Sequence, residues 1–214
     1  MKFSLCVVTL SVVTALATPI SAQILRLGVE GHPWGEALEA RVGDIIGVQI
    51  IADFQSQRAT GLAAYLSLPE DLFQVQDLGL SGQQGTQPFR KGPLFAGAHL
   101  QINRLLPESD DVAAAVPGQQ LDLAALFGLD SVGEADAKGV VATFEVLVLG
   151  AADRAVLRID DSPIRETKMV LSDGRSERHF QRTEDLEISI IDPIASQVGA
   201  WGWGLVKGRH PSGS

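Results

Sequence analysis

Cysteine is nearly missing from this sequence of 214 residues, Cys6 being the one thiol. Because Cys6 lies in an N-terminal apolar segment, the remainder can form no disulfide and has to be held by its core. Cations are also short, with 17 Lys and Arg against 26 Asp and Glu, a net charge of −9 and a pI near 4.8. That shortage excludes nucleic acid and anionic membrane surfaces as partners, since both require a basic footprint. Beyond residue 22 no apolar run approaches the roughly 20 residues that carry a helix across a bilayer, so the chain is not expected to be an integral membrane protein. Catalytic signatures are missing too. The four histidines, His32, His99, His179 and His210, show no metal-ligand spacing. Neither a G-x-S-x-G elbow nor a phosphate-binding G-x-x-x-x-G-K-[ST] loop occurs. The acidic pairs Asp110-Asp111 and Asp160-Asp161 read as solvated turn residues rather than acid/base pairs or calcium ligands. The chain is therefore expected to be no enzyme and to hold no metal or cofactor of its own.

What is present is an ordinary globular composition, 45% hydrophobic and 20% charged, long enough for one core. Residues 1–22 combine a positive Lys2, an apolar run over 5–16 and small residues ending at Ala22. This is the pattern of a Sec-type signal peptide cleaved before Gln23. Cleavage would remove Lys2 and leave a secreted, extracellular or periplasmic protein of charge −10. Residues 23–192 show period-two alternation with scarce helical stripes. The spacing predicts strands over 24–29, 45–53, 62–68, 72–80, 98–106, 139–149, 155–159, 169–171 and 186–191. Residues 121–129 fit either a strand or helical turns. The Gly, Gln and Pro of 81–97 predict a long surface loop, and 128–138 an acidic one. Short strands with frequent turns and no long helices predict an all-β fold, an antiparallel β-sandwich of about nine strands, with 193–214 as a Gly/Trp/Ser-rich tail.

The phrases VGDIIGVQIIAD (42–53) and GLAAYLSLPEDLFQVQD (61–77) resemble the opening strands of a cohesin domain. KGVVATFEVLVLGAADRAVLRID (138–160), TKMVLSDGRSERHF (167–180) and LEISIID (186–192) resemble its later strands, so the likeness runs over about 24–192. Pro69-Glu70 stands where the family usually has Asp-Pro. The resemblance implies a nine-stranded jelly-roll sandwich that binds a dockerin, a calcium-loaded module of polysaccharide-degrading enzymes. The sequence has no D-x-[DN]-x-[DN]-G loop, so any calcium would belong to the partner. The resemblance also implies that Tyr65 and Ser67 on one strand, and His99, Gln101 and Asn103 on another, face outward on the partner-binding sheet. Each of these could instead be part of an ordinary solvated face with one partly buried tyrosine. An amphipathic tyrosine ringed by amides suits an interface anchor. Trp201 and Trp203 would project to one side of an extended strand, either as a stacking platform for sugar rings or a partner, or folded back on the sandwich edge. Trp34 is expected to pack at an end of the sandwich. The same sandwich could instead bind polysaccharide directly, or serve as a structural module of an envelope assembly.

Overall fold

The computed structural model describes residues 22–55, 57–79, 85–106, 117–128 and 135–192. Residues 1–21 of the signal segment, Asp110-Asp111, most of the acidic loop, and the tail with Trp201 and Trp203 lie outside the described residues.

Two sheets face each other. The first holds β1 (Ile24–Val29), β3 (Ile45–Asp53), β9 (Lys138–Val148) and β5 (Phe73–Val75), with β13 (Arg182–Glu184) beyond β1 and β6 (Arg90–Lys91) on β9. The second is built on β4 (Ala59–Leu68). One edge of β4 carries β8 (Gln119–Leu126) and then β7 (His99–Leu105). Its other edge is shared between β10 (Ala152–Asp160) and β11 (Lys168–Leu171), with β12 (Glu177–His179) outside β11. β14 (Leu186–Ile191) and β2 (Leu38–Arg41) extend the sheet from β10.

The alternation that predicts β3 is the one that builds the core. Ile46, Val48, Ile50 and Ala52 are buried while their neighbours point outward. They meet Leu62, Ala64 and Leu66 of β4, Leu123 of β8 and Leu157 of β10, all in one apolar cluster. Each such side chain contributes on the order of 1.5–3 kcal/mol on burial. The ambiguous run is strand from Leu121 to Leu126, because Leu121, Leu123 and Ala125 alternate inward against β4.

Three expectations need correction. The segment 81–97 is not a surface loop throughout. Phe89 and Phe95 are fully buried, Phe89 edge-on to Phe144 at 5.5 Å and Phe95 against Phe54 and Phe127. A 3₁₀ turn, Pro93–Phe95, delivers Phe95, and Gly92 before it lies so close to β9 that a Cβ would meet the Val140 carbonyl oxygen at 2.3 Å. The strand over 72–80 shortens to Phe73–Val75, where Asp77 turns the chain by accepting from the Gly79 and Gln87 N–H groups. The sandwich is not wholly antiparallel either. β2 pairs with β14, and β13 with β1, in parallel. Both are short (LEAR and RTE), too short for alternation to mark them as strands.

Candidate binding face

The outer surface of the second sheet can be built row by row from its register. Asp122 of β8 stands between Arg104 of β7 and Tyr65 of β4, and Tyr65 pairs onward with Asp160 of β10. In the next row Ile102, Ala124, Ala63 and Lys168 line up across β7, β8, β4 and β11. The third row runs His99, Leu126, Gly61, Val170 and Glu177, the last on β12.

The first row is covered by the chain itself. After β10 the backbone makes a tight turn over 162–165, closed by reciprocal hydrogen bonds between Ser162 and Arg165 of 3.0 and 3.1 Å. The turn lays Arg165 flat on the sheet, where its side chain is only 2% exposed. The guanidinium bonds Asp122 and Asp160, each at 2.8 Å, and also Gln120 Oε1 and the Leu121 carbonyl. Its Cζ lies 5.1 Å from the centre of the Tyr65 ring, a cation–π contact. Arg104 reaches Asp122 from the solvent side at 3.1 Å, giving an alternating row Arg104–Asp122–Arg165–Asp160. Ser67 donates to Asp160 at 3.0 Å. Thr167 then fills the step between β10 and β11, donating to the Asp160 carbonyl and accepting from the Tyr65 N–H. The planar fork of arginine suits this work, because it can meet two carboxylates and a carbonyl at once.

Among the described residues the second and third rows carry no such cover. Leu126 is 37% exposed and lies directly over Gly61, where a Cβ would meet its Cδ1 at 2.6 Å and Val170 Cβ at 3.4 Å. Ile102, Ala124, Ala63 and Val170 are half-buried beside it. Charges frame this strip. Lys168 bonds Glu177 and Glu166, and those carboxylates hold its ammonium well above the ordinary lysine value. Ile164, at the tip of the 162–165 turn, is 68% exposed.

The five site residues predicted from sequence are thus divided. His99 and Gln101 are exposed. Tyr65 lies on the outer face but beneath Arg165, and Ser67 is buried against Asp160. Asn103 faces inward, opposite the expectation, because Gln101 is a β-bulge with no partner on β8. One extra residue reverses the alternation, so Ile102 and Arg104 take the outer positions. Asn103, 4% exposed, exchanges two 2.9 Å hydrogen bonds with the Phe89 backbone and anchors the buried phenylalanine segment to β7. Trp34 is not packed at an end. It is 59% exposed, with Arg26 4.9 Å from its ring centre.

Similarity to solved structures extends over this architecture. A type II cohesin domain from the cellulosome of Acetivibrio cellulolyticus superposes with a TM-score of 0.57 at 12% identity, covering 78% of this chain and 95% of that one. The cohesin-like fold is therefore shown. The third ScaC cohesin of the same organism, solved in complex with the ScaB dockerin, gives a TM-score of 0.54 at 13% identity, over 79% of this chain and 99% of that one. A non-cellulosomal cohesin from the archaeon Archaeoglobus fulgidus gives 0.51 at 14% identity, over 85% and 99%. No family model and no curated protein matches the sequence.

Within this cohesin-like sandwich, sequence reasoning missed Arg165 and Asp122. Asp160 carried a weak signal as half of an acidic pair, but its partners lie on other strands. Arg165 is 43 residues from Asp122, and no local pattern links them. Among the described residues no helix is long and apolar enough to cross a membrane, and no group of three or more His, Cys, Asp or Glu is placed to hold a metal.

Proposed function

We propose that the chain is a secreted, non-catalytic module that binds a protein partner through the open half of the β7–β8–β4–β11 face. The observation that carries this reading is the apolar strip of Leu126, Val170, Ile102, Ala124 and Ala63 on the outer face of the sandwich, which no described residue covers. The cohesin-like fold supports it, and the partner proposed on that likeness is a dockerin-like module that brings its own calcium. Calorimetric titration with a panel of dockerins, with and without chelator, tests the reading. A bound dockerin should lose at least tenfold in affinity to a Leu126→Asp variant whose folding stability is unchanged within about 0.5 kcal/mol. Failure of every dockerin to bind, or indifference to Leu126→Asp, would remove the dockerin reading. Export rests on residues 1–22, and a mature protein whose mass begins at Gln23 would support it.

Direct polysaccharide binding is favoured by one observation only, the exposed Trp34. The described phenylalanines are buried and Tyr65 is roofed by Arg165, so the described residues offer no row of aromatics. Retention on insoluble polysaccharide that a Trp34→Ala variant abolishes would revive this reading.

A further inference from the structure

A groove of about 690 Å³ runs along the edge of the first sheet, away from the binding face and independent of its reading. It exists because β13 pairs with β1 only through Ile24, Leu25 and Arg26. Beyond Arg26, β1 has no strand partner on that side among the described residues. The Glu30 N–H donates to the Gly47 carbonyl of β3 at 3.1 Å, so by strand alternation the Val29 N–H points the other way, into the groove. One wall is the loop over 30–37 with the exposed Trp34, and the other is Leu186 and Ile188 of β14.

The lining is acidic. Glu36, Asp153, Glu184, Asp185 and Glu187 outnumber Arg154 and Arg182. Arg154 pairs with Glu187, and Arg182 with Glu184 at 2.9 Å, which leaves three carboxylates in excess. Glu36 and Asp153 have no cationic partner among the described residues. Glu184 Oε2 is buried and unpartnered among them. A free strand edge, an exposed indole and surplus negative charge together suit an extended segment carrying aromatic and basic side chains.

The chain supplies such a segment. β14 lines the groove and ends at Ile191, and residues 193–214 follow. These residues include Lys207 and Arg209 and no acid. Trp201, Trp203, Leu205, Lys207 and Arg209 recur at every second position, with Gly202, Gly204 and Gly208 between them. An extended backbone with that period puts aromatics and cations on one side and leaves the other nearly bare. The stretch from Asp192 to Trp201 can span roughly 30 Å, enough to double back along a six-residue strand of about 20 Å. We propose that the segment 201–209 of the same chain occupies this groove, pairing its backbone with the Val29 N–H, its indoles meeting Trp34 and its cations the unpaired carboxylates.

Amide hydrogen exchange in the chain carrying residues 193–214 tests this, with a Trp201→Ser/Trp203→Ser variant and a Glu36→Lys/Asp153→Lys variant as comparisons. Neither alters a core residue. The Val29 amide should exchange about tenfold faster in both variants than in the parent, while core amides such as Ile50 stay unchanged. Added salt should speed Val29 exchange in the parent as it screens the charges. Equal Val29 exchange in parent and tryptophan variant would overturn the proposal. So would protection that grows with protein concentration, which would put another molecule's tail in the groove.

Discussion

The two halves of the outer face of the second sheet sit on the same strands yet are built in opposite ways. Over Tyr65, Asp122 and Asp160 the sheet is polar, and the chain satisfies it internally by pressing Arg165 onto it. One and two register steps away, over Ala63, Ala124 and Leu126, the sheet is apolar and, among the described residues, left bare. Burying two carboxylates costs several kcal/mol per ion unless every lone pair is met, so the polar half had to be closed by a charged, multiply bonded group. The apolar half carries no such demand. Its exposure costs little per residue and leaves it free for a partner. A face can therefore carry the strongest internal bonds and the freest surface within two rows.

The sharpest way to break this contrast is to remove the clamp. Arg165→Met leaves Asp122 and Asp160 without their shared cation and should destabilise the fold by about 3–5 kcal/mol, a fall of about 10 °C in melting temperature. Arg104→Met removes a cation from the same Asp122, but that arginine is half exposed, and the expected loss is about 0.5 kcal/mol. Equal losses from the two variants, measured by thermal unfolding, would mean that the clamp is no different from a surface pair. The bulge offers the next test. Asn103→Ala strands the buried N–H and C=O of Phe89 and should cost about 2–3 kcal/mol. Gln101→Ala, two residues away in sequence, should stay within about 0.5 kcal/mol. A reversed order in chemical unfolding would return Asn103 to the outer face.

A smaller effect is expected where the bare half is narrowest. Gly61→Ala places a methyl 2.6 Å from Leu126 Cδ1 and 3.1 Å from the Ala125 carbonyl oxygen. The leucine can swing aside but the backbone cannot, so a cost of about 1 kcal/mol is expected. Ring-current and methyl shifts in an NMR spectrum should show Leu126 displaced, and an unmoved Leu126 would contradict the packing of the strip.

These features differ in how much of them the sequence discloses. β3, β4, β9 and β14 are legible because inward β-branched and aliphatic residues alternate over six or more positions. β2 and β13 are not, since three or four residues are too few to set a period apart from chance and take their conformation from the neighbouring strand. Phe89 and Phe95 were visible inside a segment of loop composition, but composition cannot say that a loop dives into the core. The site was less legible still. A single unpaired Gln101 reverses every later side chain on β7, and bulges leave no fixed mark in a sequence. Arg165 is one arginine in an acidic turn until β4, β8 and β10 bring Asp122 and Asp160 beneath it.

The least of the expected effects lies at the border of the bare half, in the turn joining β11 to β12, and it measures what a carboxylate contributes without burial. Asp173 is fully exposed, unlike Asp122. It accepts hydrogen bonds from the Ser176 hydroxyl and from the Arg175 and Ser176 N–H groups, and these lower its pKa from the ordinary 3.8 to about 2. A folded value below the unfolded one means that the turn's contribution is complete above about pH 4. It is lost as pH falls through about 2. Carbon-detected NMR titration of the Asp173 carboxyl should give a midpoint well below that of a free aspartate. Asp173→Asn should flatten stability between pH 4 and 2 by a small amount while leaving it unchanged in slope near neutrality. A midpoint near 3.8 would mean that the turn's hydrogen bonds do not survive exposure to water, and that on this molecule only covered carboxylates, such as those under Arg165, bind their partners firmly.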